Sequence, residues 1–144
     1  MSKKVELPGD ISISIPRNFP KFSLGAEGDA RVVSFNIQAH EKSKRFIHFF
    51  EIIISPDYVD ILKRLPQEGY KLSKSQKEEL IINGHSAFFK SIDLEITRSC
   101  GSKEKTRLFL LETRCENKNL YIGIVTFTMT KDYFREIVKT LKCH

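Results

Sequence analysis

From Lys71 to His144 the residues alternate so regularly that four strands joined by short turns, followed by one amphipathic helix, account for nearly the whole stretch. Asn83-Gly84 sits between apolar runs, the residue pair that a two-residue hairpin turn demands because both positions need positive φ. Ser99 to Lys105 and Glu116 to Lys118 are polar breaks between the later strands. Thr130 then opens a helix whose apolar stripe is Tyr133, Phe134, Ile137, Val138 and Leu141. Pairing Thr97 with Arg107 brings Ile96 to Leu108 and Leu94 to Leu110. Pairing Cys115 with Leu120 brings Leu110 to Val125 and Leu108 to Phe127. One face then reads Ile92, Leu94, Ile96, Leu108, Leu110, Val125 and Phe127, while Phe109, Leu111, Ile122 and Ile124 occupy the other. Strands that are apolar on both sides require a layer on both sides.

The first half supplies further strands and the candidate second layer. Ile11, Ile13 and Ile15 alternate with serines until Pro16, a half-buried strand. Arg17 to Ala30 carries Pro20, Gly25 and Gly28, and reads as an ordered loop pinned by Phe19 and Phe22. Arg31 to Ala39 and Lys44 to Ile54 form a hairpin around His40 to Ser43, with Ala39 facing Lys44, Phe35 facing His48 and Val33 facing Phe50. Ser55-Pro56-Asp57 has the composition of a helix start, with a hydroxyl N-cap, proline at the first helical position and an acid in the first turn. Tyr58, Ile61, Leu62 and Leu65 supply its stripe and Pro66 ends it. The expected architecture is a single α+β domain over residues 1–144. It has a mostly antiparallel sheet of six to seven strands, flanked by helices as an α/β/α sandwich.

The chain has 144 residues, 40% of them apolar and 29% charged. A domain of that size buries roughly 70% of its unfolded surface and needs no metal or disulfide to fold. Its net charge of +6 is spread along the sequence rather than clustered, which suits solubility more than a dedicated nucleic-acid surface. Eleven Phe, four Tyr and no Trp read as core filling. The first ten residues lack the apolar stretch of a signal peptide. Phe46 to Ile54 falls well short of the ~20 residues of a membrane span. A cytoplasmic protein is expected. Cys100, Cys115 and Cys143 make an odd count without CxxC spacing, as befits thiols in a reducing compartment.

Candidate sites are few. Asp93 and Glu95 project from one face of a strand, with Arg107 as their diagonal neighbour across the hairpin. They could act as an acid/base pair or hold a cationic ligand, or they could form a solvated ion pair worth tenths of a kcal/mol. His48 lies between Phe46 and Phe50, as a hydrogen-bonded core histidine would; His40 and His85 fall in or beside turns. No spacing ties any of them to a nucleophile. A helix of ~12 residues spans about 18 Å, enough to carry Cys143 and His144 back towards Cys115. Two thiols and an imidazole suit zinc, but no fourth ligand is indicated. No metal and no cofactor are therefore expected. Gly25 to Asp29 lacks the Lys-Ser/Thr of a phosphate loop. Lys71, Lys74 and Lys77 fit the charged guard of an edge strand.

The order of elements resembles the Mog1/PsbP-like family. The matching text is Ile11-Ser-Ile-Ser-Ile-Pro16, Ile81-Ile-Asn-Gly84-His-Ser-Ala87, Leu120-Tyr-Ile-Gly-Ile124 and Phe134-Arg-Glu-Ile-Val-Lys-Thr-Leu141. The resemblance spans nearly the whole chain by pattern and implies an α/β/α sandwich without catalysis. The family includes a nuclear partner of a small GTPase and photosystem-associated lumenal proteins. No functional residue carries over from it, since function must come from a site. The expected function is a small non-enzymatic module that binds another protein through a sheet face or the Arg17–Ala30 loop. A weak nucleic-acid or polyanion binder is the alternative, followed by a small-ligand-binding domain or an enzyme using Asp93 and Glu95. A homodimer covering the second apolar face is left open.

Overall fold

The computed structural model describes residues 2–19, 22–37, 48–64, 70–97, 100–127 and 129–144. In chain order the strands are β1 (Ser2–Leu7), β2 (Ile11–Pro16), β3 (Ser23–Glu27), β4 (Ala30–Ile37), β5 (His48–Ser55), β6 (Tyr70–Ile82), β7 (His85–Thr97), β8 (Lys103–Cys115), β9 (Leu120–Phe127) and β10 (Lys142–Cys143). A 3-10 turn at Ile61–Arg64 precedes β6, and the helix α1 (Lys131–Val138) precedes β10. Two antiparallel sheets result, one ordered β1-β2-β10 and the other β3-β4-β5-β9-β8-β7-β6. Strands make up most of the described residues. Among the described residues no helix is long and apolar enough to cross a membrane.

The expected α/β/α sandwich is overturned. One face of the large sheet is covered by the small sheet together with α1: Ile11, Ile13 and Ile15 of β2 and Phe134, Ile137 and Val138 of α1 pack on Phe35, Phe50, Ile52, Phe109, Leu111, Ile122 and Ile124. The other face carries Val32, Ile53, Ile92, Leu94, Leu108, Leu110 and Val125, and is closed by Ile61 with Val59 and Leu62. Each face therefore carries a buried core, but among the described residues only one of the covering layers contains an α-helix. The helix expected at Ser55 fails because Ser55 remains in β5. Its Oγ accepts a hydrogen bond from the Asp57 amide at 3.2 Å, a local turn that competes with helix initiation. The chain then seats Ile61 over Gly123, where any added Cβ would collide with the Ile61 side chain and the Tyr121 hydroxyl. Glycine in a central strand marks such a close approach. Tertiary contact wins over the local helix signal. Leu65 and Pro66 lie outside the described residues.

The second correction concerns strands. β1 pairs along its length with β2, from Ser2↔Pro16 to Leu7↔Ile11, through a turn in which Gly9 and Asp10 both have positive φ. The short alternation Lys4-Val5-Glu6-Leu7 carries that strand, and the two-residue β10 pairs with the same β2. β3 lies inside the stretch expected to be loop. Phe19 within that stretch is buried and packs on Phe35 and Phe50 at 5.8 and 5.5 Å.

Register differs from expectation by even steps. β4 and β5 pair Phe35 with Phe50, two residues from the expected match, and the His40–Ser43 turn lies outside the described residues. β7 and β8 pair Thr97 with Lys103 and Ile92 with Leu108, four residues from it. The strands run further towards the loop because Lys105 and Arg107 meet Glu95 and Asp93 across the ladder, and opposite charges on facing positions stabilise a pair. An even slip keeps every side chain on its own face, so the division into two apolar sets survives. β8 and β9 pair Cys115 with Leu120 and Leu110 with Val125. The Asn83-Gly84 turn closes β6 and β7 with both residues at positive φ. Thr130 caps α1, its side chain accepting from the Tyr133 amide.

Candidate functional site

Asp93, Glu95 and Arg107 do line a concavity. A cleft of about 710 Å³ is bordered by Lys71, Ser73, Lys74, Asp93, Leu94, Glu95, Lys105, Thr106 and Arg107. Its charges are already matched. Arg107 stands directly opposite Asp93 rather than diagonal to it, and its Nε donates to Asp93 Oδ1 at 3.2 Å. Lys103 Nζ lies 3.6 Å from Glu95 Oε1. Both pairs keep water contact, where such bridges contribute about 0–1 kcal/mol. The geometry is a cross-strand charge ladder on a solvated face. Neither carboxylate is dry or unpaired, as the setting of a general acid would require.

A more deeply buried polar cluster lies on β8, and the sequence reading missed it. Glu112 is buried; its Oε1 sits 2.6 Å from Lys90 Nζ, and its Oε2 accepts the Tyr121 hydroxyl at 2.7 Å. Tyr58 covers Tyr121 edge-on at 5.3 Å. These side chains border a cleft of about 450 Å³ whose other walls include Phe88, Lys77 and Arg114. Lys77 Nζ rests 4.0 Å from the centre of the Phe88 ring, a cation–π contact. Burial pushes the Tyr121 phenol well above its ordinary value, and the hydrogen bond and charge of Glu112 add to the rise. Tyr58 is raised too, by partial burial and then by Glu112. Phenols so placed resist ionisation, the opposite of an activated nucleophile or base. The signal for this cluster was present in the sequence. Glu112 ends the run Leu108-Phe-Leu-Leu111, and a carboxylate beside two-faced apolar strand needs a partner.

The two edges of the large sheet differ sharply in their protection. β6, at one end, bears Lys71, Lys74 and Lys77 and a register break between Leu72 and Ser75. Charge and bulges are the usual means of preventing an edge from recruiting another strand. β3, at the other end, reads Ser-Leu-Gly-Ala-Glu and is exposed at every position. It has no lysine, no proline and no register break against β4. Leu24 is 57% exposed and Phe22, beside it, 40%, with the Phe22 ring 5.6 Å from Phe35. Among the described residues no strand pairs with the outer edge of β3.

Metal-ligating residues meet at a different corner. Cys115 at the end of β8 and Cys143 in β10 are brought together and paired, but the imidazole beside them belongs to His85. His144 instead turns to Ser12, its Nε2 2.8 Å from that hydroxyl. His85 is half-buried at the start of β7. Cys100 is exposed, its Sγ 3.1 Å from Ser102 Oγ. His40 and the side chain of His48 lie outside the described residues. No family model matches this chain, and no curated protein sequence matches it.

Proposed function

We propose that the protein is a non-enzymatic, cytoplasmic interaction module that accepts an extended segment of a partner protein as an added strand on the outer edge of β3. The carrying observation is the asymmetry of the two edges: β6 is guarded by Lys71, Lys74, Lys77 and a bulge, whereas β3 has a single charge, Glu27 at its end, no register break, and among the described residues no strand on its outer side. An unprotected edge supplies backbone donors and acceptors in strand register. Leu24 and Phe22 form an apolar shoulder beside it, on which alternate side chains of the segment pack. Neither carboxylate candidate favours catalysis, because Asp93 and Glu95 are each held by a base. The ion pairing of Lys90, Lys103, Arg107, Lys118, Lys131 and Arg135 favours a protein ligand over a polyanion.

A displayed library of random peptides tests the reading. Selection on the wild-type protein is expected to enrich segments with alternating apolar residues. Leu24→Lys, which installs the guard that β3 lacks, is expected to weaken them at least about 10-fold, or ~1.4 kcal/mol. Lys74→Glu on the opposite edge should leave them unchanged. Enrichment insensitive to Leu24→Lys contradicts the proposal. So does a wild-type dimer in sedimentation that Leu24→Lys dissolves, because the edge would then serve a second copy of the chain.

A further inference from the structure

We propose that His85, Cys115 and Cys143 form a binding site for a divalent d10 metal ion, zinc above all, in the reduced protein. Their ligand atoms all lie within 4.8 Å of one another. Zinc holds sulfur at about 2.3 Å and imidazole nitrogen at about 2.0–2.1 Å, so its tetrahedral ligands stand roughly 3.5–3.8 Å apart. Reduction frees the two sulfurs, paired in this structure, to separate to that spacing. They come from three separate elements, which makes the cluster a product of the fold rather than of local sequence.

The surroundings hold the donors in place. Asn83, two residues before His85, donates from Nδ2 to the Leu141 carbonyl at 2.6 Å and to that of Lys139 at 3.3 Å, which ties the β6–β7 turn to the segment leading into Cys143. Cys143 pairs with Ile11, and the next amide, His144, bonds the Asp10 carbonyl at 3.0 Å. Cys115 opens a tight turn, with the Lys118 amide bonded to its carbonyl at 3.1 Å. Asn117 Oδ1 lies 3.1 Å from its sulfur, a neutral oxygen next to the donor set. Such outer contacts orient ligands and are worth about 10–100-fold in metal affinity.

Charge selects the metal. In the structure the two sulfurs are paired across a Cα–Cα distance of 6.2 Å, and metal binding belongs to the dithiol form. Reduction by a thiol or phosphine adds two electrons and two protons across the S–S bond. The metal then displaces one proton from each thiol, while the neutral imidazole contributes a lone pair. Two thiolates and Zn²⁺ sum to zero, which suits the fully buried Cys115, whereas Cu⁺ would leave a net negative charge there. Disulfide and metal exclude each other, so the corner also reports the redox state.

Cobalt(II) added to the phosphine-reduced full-length Cys100→Ser protein provides the test. The expected result is one equivalent bound, with thiolate-to-cobalt charge-transfer absorption and the visible bands of tetrahedral Co²⁺, displaced by one equivalent of Zn²⁺. Cys143→Ser should abolish the charge-transfer bands or weaken binding at least about 100-fold, and His85→Gln should weaken it at least about 10-fold. Both positions are half-buried and spare the buried Cys115, so folded variants remain available. The oxidised protein should bind none. Absence of the spectrum from protein with both thiols titratable overturns the assignment, as does a spectrum unchanged in either variant.

Discussion

Phe134→Ala is expected to lower the unfolding free energy by about 3–5 kcal/mol, the range for removing a fully buried aromatic ring. Phe134 has no exposed surface. Its ring lies 6.1 Å from Phe50, 5.7 Å from Phe89 and 6.0 Å from Phe109, so one side chain joins α1 to three strands of the large sheet. α1 runs only from Lys131 to Val138, too short to persist without that contact. The substitution should therefore release the helix and expose the sheet face beneath it. Urea unfolding followed by far-ultraviolet circular dichroism measures the loss, and Phe134→Leu should recover part of it. A loss below about 1 kcal/mol would contradict the placement of this ring at the centre of the covered face.

Glu112→Ala is expected to cost about 2–3 kcal/mol, because it strands Lys90 and the Tyr121 hydroxyl together. Breaking a fully buried pair costs more, but the side chain of Lys90 is 28% exposed against 10% for Glu112, so water screens part of the loss. Replacing the whole set, as Glu112→Leu with Lys90→Met and Tyr121→Phe, should cost less than the single change, since no polar group is left without a partner. Glu112 also contributes to the raised pKa of Tyr121. A phenol raised on folding stabilises the native state fully below the unfolded value of about 10 and loses that contribution as pH climbs towards the folded value. Glu112→Ala should bring Tyr121 down, so that phenolate absorption grows in at lower pH than in the wild type. An unchanged alkaline titration, or a triple variant less stable than Glu112→Ala, would contradict this account of the cluster.

The residues that alternate under tight turns could be read directly from sequence. Asn83-Gly84 set one hairpin, Cys115 opposite Leu120 set another, and Phe109 and Leu110 fell on opposite faces as the structure has them. The layers could not be read the same way. Ser55-Pro56-Asp57 carries every local mark of a helix start, yet Gly123 makes room for Ile61 to dock in a single 3-10 turn. That contact joins residues 62 apart, beyond the reach of any local pattern. β1 and β10 are too brief or too charged to stand out, and each owes its existence to β2. The candidate sites divide on the same line. Asp93, Glu95 and Arg107 were legible because they lie within one hairpin. His85 joins Cys115 and Cys143 only because the β6–β7 turn docks on the C-terminal segment, and β3 lay hidden because Ser-Leu-Gly-Ala-Glu has no period of its own.

Backbone nuclear Overhauser contacts in the isotope-labelled protein test the two-sheet arrangement and its open edge together. The arrangement requires inter-strand contacts for Ile11 with Cys143, Ile52 with Ile124 and Leu24 with Val33, non-helical shifts from Pro56 to Asp60, and no strand contact on the outer side of β3. Helical shifts through that stretch, or a strand already seated against β3, would contradict it.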